Sequence, residues 1–557
     1  DRIPNEFFKN CPLNFYEHLL SVFNEIFDSG KVPTSFSKSI VFPLFKQGDV
    51  NDVNNYRGIS FSDSVSKLFT GILLKRLQKW VDINNILVEC QAGFRKDYSA
   101  VDNIFNLFNI VKLKLSVKRR KVYCCFVDLK AAFDSLDRSA IFYKLYNIGV
   151  STKFIRILEG LYHRTESSVW CQGGTSHSFR VSVGVKQGCL LSPLLFVLFI
   201  NNLPECLGGG VYLGDININC LMYADDLVLL SSEPINLQRM LNNLVNYCEL
   251  WNLQINLSKT KVMVFKNGGK ASKYEQWFIK DKKLEVVKQY KYLGVTLTST
   301  LNLKTHLSNK LSAAKFGLNS TWKHLMINNS VPLRSKKTVF DSVSRSVMCY
   351  ASQVWGYQHY VEVEKLFCFF LKKLFSLPYN TPSYFLYLET GAPSMFQYTL
   401  GTHFSYLQKV LNMSNNRLPF ILANKVINRQ VFWYAEWEKL VGKLNGSMLV
   451  NYTNCEDFKR WSSAVLGAVE VAHKKELMHK VATSQFHSLY KHLNFELGHQ
   501  SYLVNNEMHL IKIIFKIRGQ LFNLNFKPWC TDRSGNCSLC NMGVYEDTYH
   551  FICRCPS

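Results

Sequence analysis

Leu221-Met222-Tyr223-Ala224-Asp225-Asp226-Leu227-Val228-Leu229-Leu230 sets two adjacent carboxylates inside an apolar, β-prone run. Burying unpaired carboxylates side by side is costly, because like charges repel and desolvation disfavours both ions. The pattern predicts a strand-turn-strand with Asp225 and Asp226 at its tip, tolerated when a cation arrives to neutralise them. Oxygen-only ligands favour a hard divalent ion, Mg²⁺ or Mn²⁺, over zinc.

Two further polar islands interrupt apolar sequence on the amino-terminal side. Val122-Tyr123-Cys124-Cys125-Phe126-Val127 reads as a buried central strand, and it ends at Asp128. Gly184-Val185-Lys186-Gln187-Gly188-Cys189-Leu190-Leu191-Ser192-Pro193 reads as a flexible turn feeding a helix over Leu194–Leu203. Ser192 is its expected N-cap, with proline at the first helical position. Phosphoryl transfer by two metals needs carboxylates converging from separate elements, with the ions about 3.5–4 Å apart. Asp128 and Asp225 come from different strands and could bridge such a pair, with Asp226 assisting.

Composition agrees with a polyanionic partner. The chain has 66 Lys+Arg against 41 Asp+Glu, a formal charge of +25, with 14% aromatic residues. Basic runs at Lys118-Arg119-Arg120-Lys121 and at Lys372-Lys373 suit phosphate backbones without reading sequence. The opening Asp1-Arg2-Ile3-Pro4-Asn5 lacks the apolar segment of a secretory signal. The longest apolar run, Leu190 to Ile200, spans 11 residues and is too short to cross a membrane. Seventeen cysteines, an odd number, point to reduced thiols in the cytoplasm or nucleus.

The ordered motifs resemble those of reverse transcriptases of non-LTR (LINE-like) retrotransposons. Phe126-Val127-Asp128-Leu129-Lys130-Ala131-Ala132-Phe133-Asp134 looks like their first catalytic motif, and Tyr223-Ala224-Asp225-Asp226 like their second. Lys186-Gln187-Gly188 through Phe196 resembles the template- and nucleotide-positioning motif. Asn55-Tyr56-Arg57-Gly58-Ile59-Ser60 and Gln91-Ala92-Gly93-Phe94-Arg95-Lys96 resemble fingers motifs. Leu253 to Lys261, Tyr292-Leu293-Gly294-Val295 and Tyr350 to Gly356 resemble the end of the palm, the primer grip and a thumb segment.

The resemblance implies that Asp128, Asp225 and Asp226 hold Mg²⁺ or Mn²⁺. It implies that Ala131 and Ala132 offer backbone amides to a triphosphate, and that Phe133 excludes a 2′-OH. Gln187, beside Gly188, would contact the nucleotide, Arg57 would meet the triphosphate, and Lys259 is a candidate general acid for pyrophosphate. Gly58 stands where many family members carry proline, and is expected to loosen a turn after Arg57.

Five cysteines fall in the last 28 residues, which suggests metal rather than disulfides. Cys537-x₂-Cys540-x₉-His550-x₄-Cys555 has the ligand types and close first pair of a structural Zn²⁺ site, with Cys553 and Cys530 as rival ligands. The run also resembles the family's Cys-Cys-His-Cys element, which helps to hold target DNA.

The expected fold is α+β, a right-hand polymerase with a helical C-terminal extension and a zinc-knuckle-like end. Its expected parts are an N-terminal extension and fingers over 1–120, palm over 121–298, thumb over 299–400, helical extension over 401–525 and knuckle over 526–557. The expected function is RNA-directed DNA synthesis from dNTPs on a primer 3′-OH, target-primed. RNA template, DNA primer and target DNA are the expected partners, with element RNA in a ribonucleoprotein and no membrane. The endonuclease that nicks target DNA in the family is expected to lie outside these residues or to have been lost. An RNA-templated RNA polymerase is opposed by Ala224 and Phe133. The alternative is a catalytically silent, retrotransposon-derived nucleic-acid-binding scaffold.

Overall fold

Apolar on both faces, Lys121–Val127 forms the middle strand of a five-stranded sheet. The strand order is Glu285–Val286, Lys261–Lys266, Lys121–Val127, Asp226–Ser231, Cys220–Tyr223. Both neighbours of the middle strand run antiparallel to it, with Leu227 opposite Val127 and Lys261 opposite Phe126. On one face, Cys125, Val127, Leu227 and Leu229 join a core with Phe196 and Leu237. On the other face Phe126 stacks on Tyr290, ring centroids 4.2 Å apart. This burial on both faces is why the strand's sequence does not alternate.

The computed structural model describes residues 3, 5–171, 173–268, 275–444, 455–484, 490, 500–526 and 535–556. The chain divides into two compact units, Asp1–Gly294 with Thr298–Leu301, and Val295–Leu297 with Asn302–Ser557.

The first unit contains a second sheet. Lys38–Phe45 pairs antiparallel with Tyr56–Phe61 and parallel with Glu166–Cys171. Helix Ser64–Ile83 buries Phe69, Leu73, Leu77 and Val81, while Leu68 and Ile72 beside them stay exposed. Helix Ala100–Leu115 starts with a capping box between Ser99 and Asp102, and Asn103 on it donates to the Met222 carbonyl at 2.8 Å. Two local expectations are corrected. Gly58 is not in a turn: it lies in the Tyr56–Phe61 strand opposite Pro43, and an added Cβ would come within 2.9 Å of Val41. Ser192 is not the N-cap either. It is the first residue of helix Ser192–Phe199, and its hydroxyl donates to the Lys186 carbonyl at 2.7 Å. That helix ends at Phe199, and a separate helix covers Leu203–Leu207.

The second unit is helical over most of its described length, as its sequence pattern predicts. Helices Met395–Leu411, Trp433–Lys443 and Cys455–Thr483 meet around Phe404, Trp437, Phe458 and Trp461. The fully buried Glu389 is neutralised by Arg518 at 2.9 Å and accepts from Tyr490 and Tyr502. Paired and hydrogen-bonded in this way, the carboxylate escapes the penalty of an isolated buried charge.

Candidate active site

The catalytic candidates lie at one end of the central sheet. Val127 is the last residue of the middle strand, so Asp128 emerges where the register brings the start of Asp226–Ser231 alongside. Asp226 pairs with Tyr223, which leaves Ala224 and Asp225 as a two-residue hairpin turn. Ala224 has φ 56°, the positive value that two-residue hairpin turns require at their first central position. Asp226 is therefore the first residue of the returning strand, and only Asp225 occupies the tip proper.

The electrostatics show that these carboxyls interact. Burial pushes the Asp226 carboxyl up to about 6, and the charges of Asp225 and Asp128 push in the same direction. Asp226 as a residue remains solvent-accessible, so the cluster is crowded on its protein side and open on the other. Tyr290 is pushed up to about 12 by burial, with Asp226 and Asp128 adding to the rise. Asp128 has cationic and amide company: Lys259 Nζ lies 3.8 Å from its Oδ2, and Asn256 Nδ2 donates to the same oxygen at 2.8 Å. The Asp128 N–H donates to the buried Thr260 hydroxyl, and the Asn256 N–H to the Asp128 carbonyl. Residues 254–260 thus fasten the end of the middle strand.

A second group assembles the nucleotide-binding candidates. Arg57 Nε donates to Gln187 Oε1 at 3.1 Å, and Gln187 Nε2 donates to Asp134 Oδ2 at 2.6 Å. The Ser60 N–H donates to the Gln187 carbonyl. Gly188 has φ +117°, and a Cβ there would stand 2.4 Å from the Ser60 carbonyl oxygen, so no side chain fits. The N–H groups of Ala131 and Ala132 have no hydrogen-bond partner among the described residues. Phe133 is half-buried, stacked on Phe196 at 4.8 Å and edge-on to Phe94 at 6.3 Å. Asn256 and Asp134 are the site residues that sequence alone does not single out; their only local signals are a polar residue between Ile255 and Leu257, and an acid six residues after Asp128.

The donor set fits a hard divalent cation. Three carboxylates meet, and Asp226 is held toward its protonated form by burial first and by the other two charges second. At the other end of the chain, Cys537, Cys540, His550 and Cys555 bring their ligand atoms within 4.8 Å of one another. Cys537 Sγ lies 3.9 Å from Cys555 Sγ, and Cys540 Sγ 3.3 Å from His550 Nε2. A tetrahedron with Zn–S of about 2.3 Å and Zn–N of about 2.0 Å has edges of roughly 3.5–3.8 Å, within about 0.2 Å of these two spacings. Cys553 is exposed and outside the group, and Cys530 lies outside the described residues.

Of the basic runs, Lys118, Arg119 and Arg120 are exposed, while Lys121 pairs with Glu275. Lys372 donates to the Tyr379 carbonyl and Lys373 to Asn319. No described helix is long and apolar enough to cross a membrane.

Two predictions follow from these clusters. Between its ordinary 3.8 and about 6, Asp226 keeps a proton in the folded chain that the unfolded chain has released. Stability therefore falls as pH rises through that window, and the deficit is complete above it. Without metal, Asp226→Asn should raise Tm by about 2–4 °C at neutral pH, after allowance for solvent screening, and should give no gain at acidic pH. Thermal melts in chelator across that range check this. For the second cluster, elemental analysis of purified chain should find about one zinc per chain, lost in His550→Ala.

Residues 46–297 match the family model described as Reverse transcriptase (RNA-dependent DNA polymerase). Among curated proteins, the RNA-directed DNA polymerase from mobile element jockey of Drosophila melanogaster is 25% identical over 365 residues, 64% of this chain and 39% of that protein. The probable RNA-directed DNA polymerase from transposon BS of the same species is 26% identical over 366 residues, 64% of this chain and 40% of that protein. The chain thus spans about two fifths of the length of these relatives. Among solved structures, apo telomerase from Candida tropicalis aligns over 85% of this chain and 73% of its own, at 12% identity and a TM-score of 0.36. The fingers, catalytic and primer-grip motifs lie inside the matched span, and over it the chain is similar to reverse transcriptases, including RNA-directed DNA polymerases from mobile elements.

Proposed function

We propose that this chain is the RNA-directed DNA polymerase of a non-LTR retrotransposon, adding dNTPs to a primer 3′-OH and releasing pyrophosphate. The observation that carries the reading is the convergence of Asp128, at the end of the middle strand, with Asp225 and Asp226, at the turn and start of its neighbour, at one sheet end, where burial and then the charges of Asp225 and Asp128 raise Asp226 to about 6. These three residues would hold Mg²⁺ or Mn²⁺, which when bound activates the attacking hydroxyl and neutralises charge on the phosphates.

The chain's own groups do the rest. In this reading the free N–H groups of Ala131 and Ala132 donate to triphosphate oxygens, and Arg57, tied through Gln187 to Asp134, supplies positive charge to the same phosphates. Phe133, fixed by its stack on Phe196, lies under the sugar and leaves no room for a 2′-OH. Gln187 and Gly188 bring backbone close to the incoming nucleotide. Lys259, mostly exposed and 3.8 Å from Asp128, gives a proton from Nζ to the departing pyrophosphate.

The parts we assign are an N-terminal extension and fingers over 1–120, palm over 121–298, thumb over 299–400, helical extension over 401–525 and knuckle over 526–557. Template RNA, a DNA primer at nicked target DNA and element RNA in a ribonucleoprotein are the proposed partners, in keeping with the charge of +25. The free cysteines and the Cys₃His cluster suit the reducing cytoplasm or nucleus.

Primer extension on an RNA template with dNTPs and Mg²⁺ tests the reading. The parent chain should extend and Asp225→Ala should lose about 10³-fold or more in rate. Extension that survives Asp225→Ala would sink the site, and no extension with any divalent ion would favour a silent scaffold. Phe133→Ala should accept rNTPs more readily, and unchanged discrimination would remove the gate.

A further inference from the structure

The catalytic hairpin is held from outside by residues remote in sequence. Met222 donates to the Cys90 carbonyl at 2.8 Å, and the Ala92 N–H donates back to the Met222 carbonyl at 2.9 Å. Between these two bonds sits Gln91, with no solvent exposure. Its Oε1 accepts from the N–H of Gly93 at 2.8 Å and from the N–H of Ala224 at 3.1 Å. Its Nε2 is buried without a partner among the described residues. Exchanging the two amide atoms would face nitrogen toward both N–H donors, so the network fixes the orientation.

Two features mark this contact as more than core filling. A buried side chain serving only to fill space would be apolar, whereas Gln91 leaves one polar atom unsatisfied and uses the other at the turn. The bonded residue, Ala224, holds φ 56°, a conformation that L-residues other than glycine and asparagine rarely adopt. Gly93 adds a steric condition: a Cβ there would stand 2.3 Å from the Ala224 nitrogen and 3.0 Å from the Tyr223 carbonyl carbon. The turn can rest on this segment only because residue 93 has no side chain.

We propose that Gln91 is a positioning residue for nucleotidyl transfer. Its amide oxygen clamps Ala224 in the left-handed conformation that sets Asp225 at the tip and Asp226 at the head of the returning strand. The catalytic part of this inference rests on the polymerase reading above. The clamp itself does not.

Gln91→Met keeps the volume and removes the acceptor. In primer extension it should lower kcat by about 10²-fold, the cost of a small misplacement of reacting groups, while primer–template Kd stays within about twofold of the parent. Amide hydrogen exchange should accelerate at Ala224 and not along Lys121–Val127. Adding Ala224→Gly to Gln91→Met should recover about tenfold of the lost rate, because glycine adopts positive φ without a clamp. If Gln91→Met fails to fold, Gly93→Ala attacks the same contact from its other side and should give the same local exchange.

A parent that extends beside a Gln91→Met variant of equal kcat would overturn the positioning role. Exchange rising equally throughout the sheet, or unchanged at Ala224 in both variants, would overturn the clamp. A parent that does not extend overturns the polymerase reading instead, and the exchange data then decide the clamp alone.

Discussion

Repulsion among Asp128, Asp225 and Asp226 is the constraint around which the first unit is built. Like charges at one sheet end oppose folding, and burial together with the charges of Asp225 and Asp128 raises Asp226 to about 6. The surroundings offset it piecemeal. Asn256 and Lys259 take up the charge of Asp128, while the apolar strands beneath supply the burial that keeps the sheet together. An end of sheet this unfavourable is retained where binding a cation converts the repulsion into affinity.

Rigidity at that end comes from backbone contacts that exclude side chains. Gly188 lets its loop lie against Ser60, tying the strand of Arg57 to the turn of Gln187. Gly93 lets the hairpin turn lie against the Gln91 segment. In both cases a Cβ would collide with backbone, which cannot rotate aside as a side chain can. The two glycines thus act as fixed spacings, one on the nucleotide side and one on the carboxylate side.

Much of this was legible in the sequence because the signals are local. An unbroken apolar run ending in an aspartate reads as a central strand, and the paired acids within β-prone residues read as a strand-turn-strand, although only Asp225 lies in the turn and Asp226 already begins the returning strand. Illegible were the partnerships across distance. Gln91 with Ala224, Asn256 with Asp128 and Asp134 with Gln187 are separated by 133, 128 and 53 positions, and no periodicity connects them. Ser192 misled for a related reason. Its residue type and the following proline fit an N-cap, but tertiary structure offered its hydroxyl the Lys186 carbonyl instead. At Gly58 a glycine marks close strand packing rather than a turn, because a Cβ there would crowd Val41 on the neighbouring strand.

The chain's two candidate metal sites also differ in how they relate to folding. The carboxylate cluster stands on a sheet whose core is complete without an ion, so a cation there acts on charge and not on architecture. The Cys537–Cys555 group has no such core. Phe551 and Ile552 are exposed there, and the residues that are buried, Cys537, Glu546, Thr548 and His550, are ligands or polar side chains rather than an apolar core. Short elements of that kind draw their folding free energy from the ligand–metal bonds themselves. Softness then sorts the ions: thiolate and imidazole select zinc, whereas oxygen donors leave room for magnesium with its retained waters. Because the two clusters differ in donor softness, oxygen in one and sulfur with imidazole in the other, each can fill from the same cellular pool without competing for the other's ion.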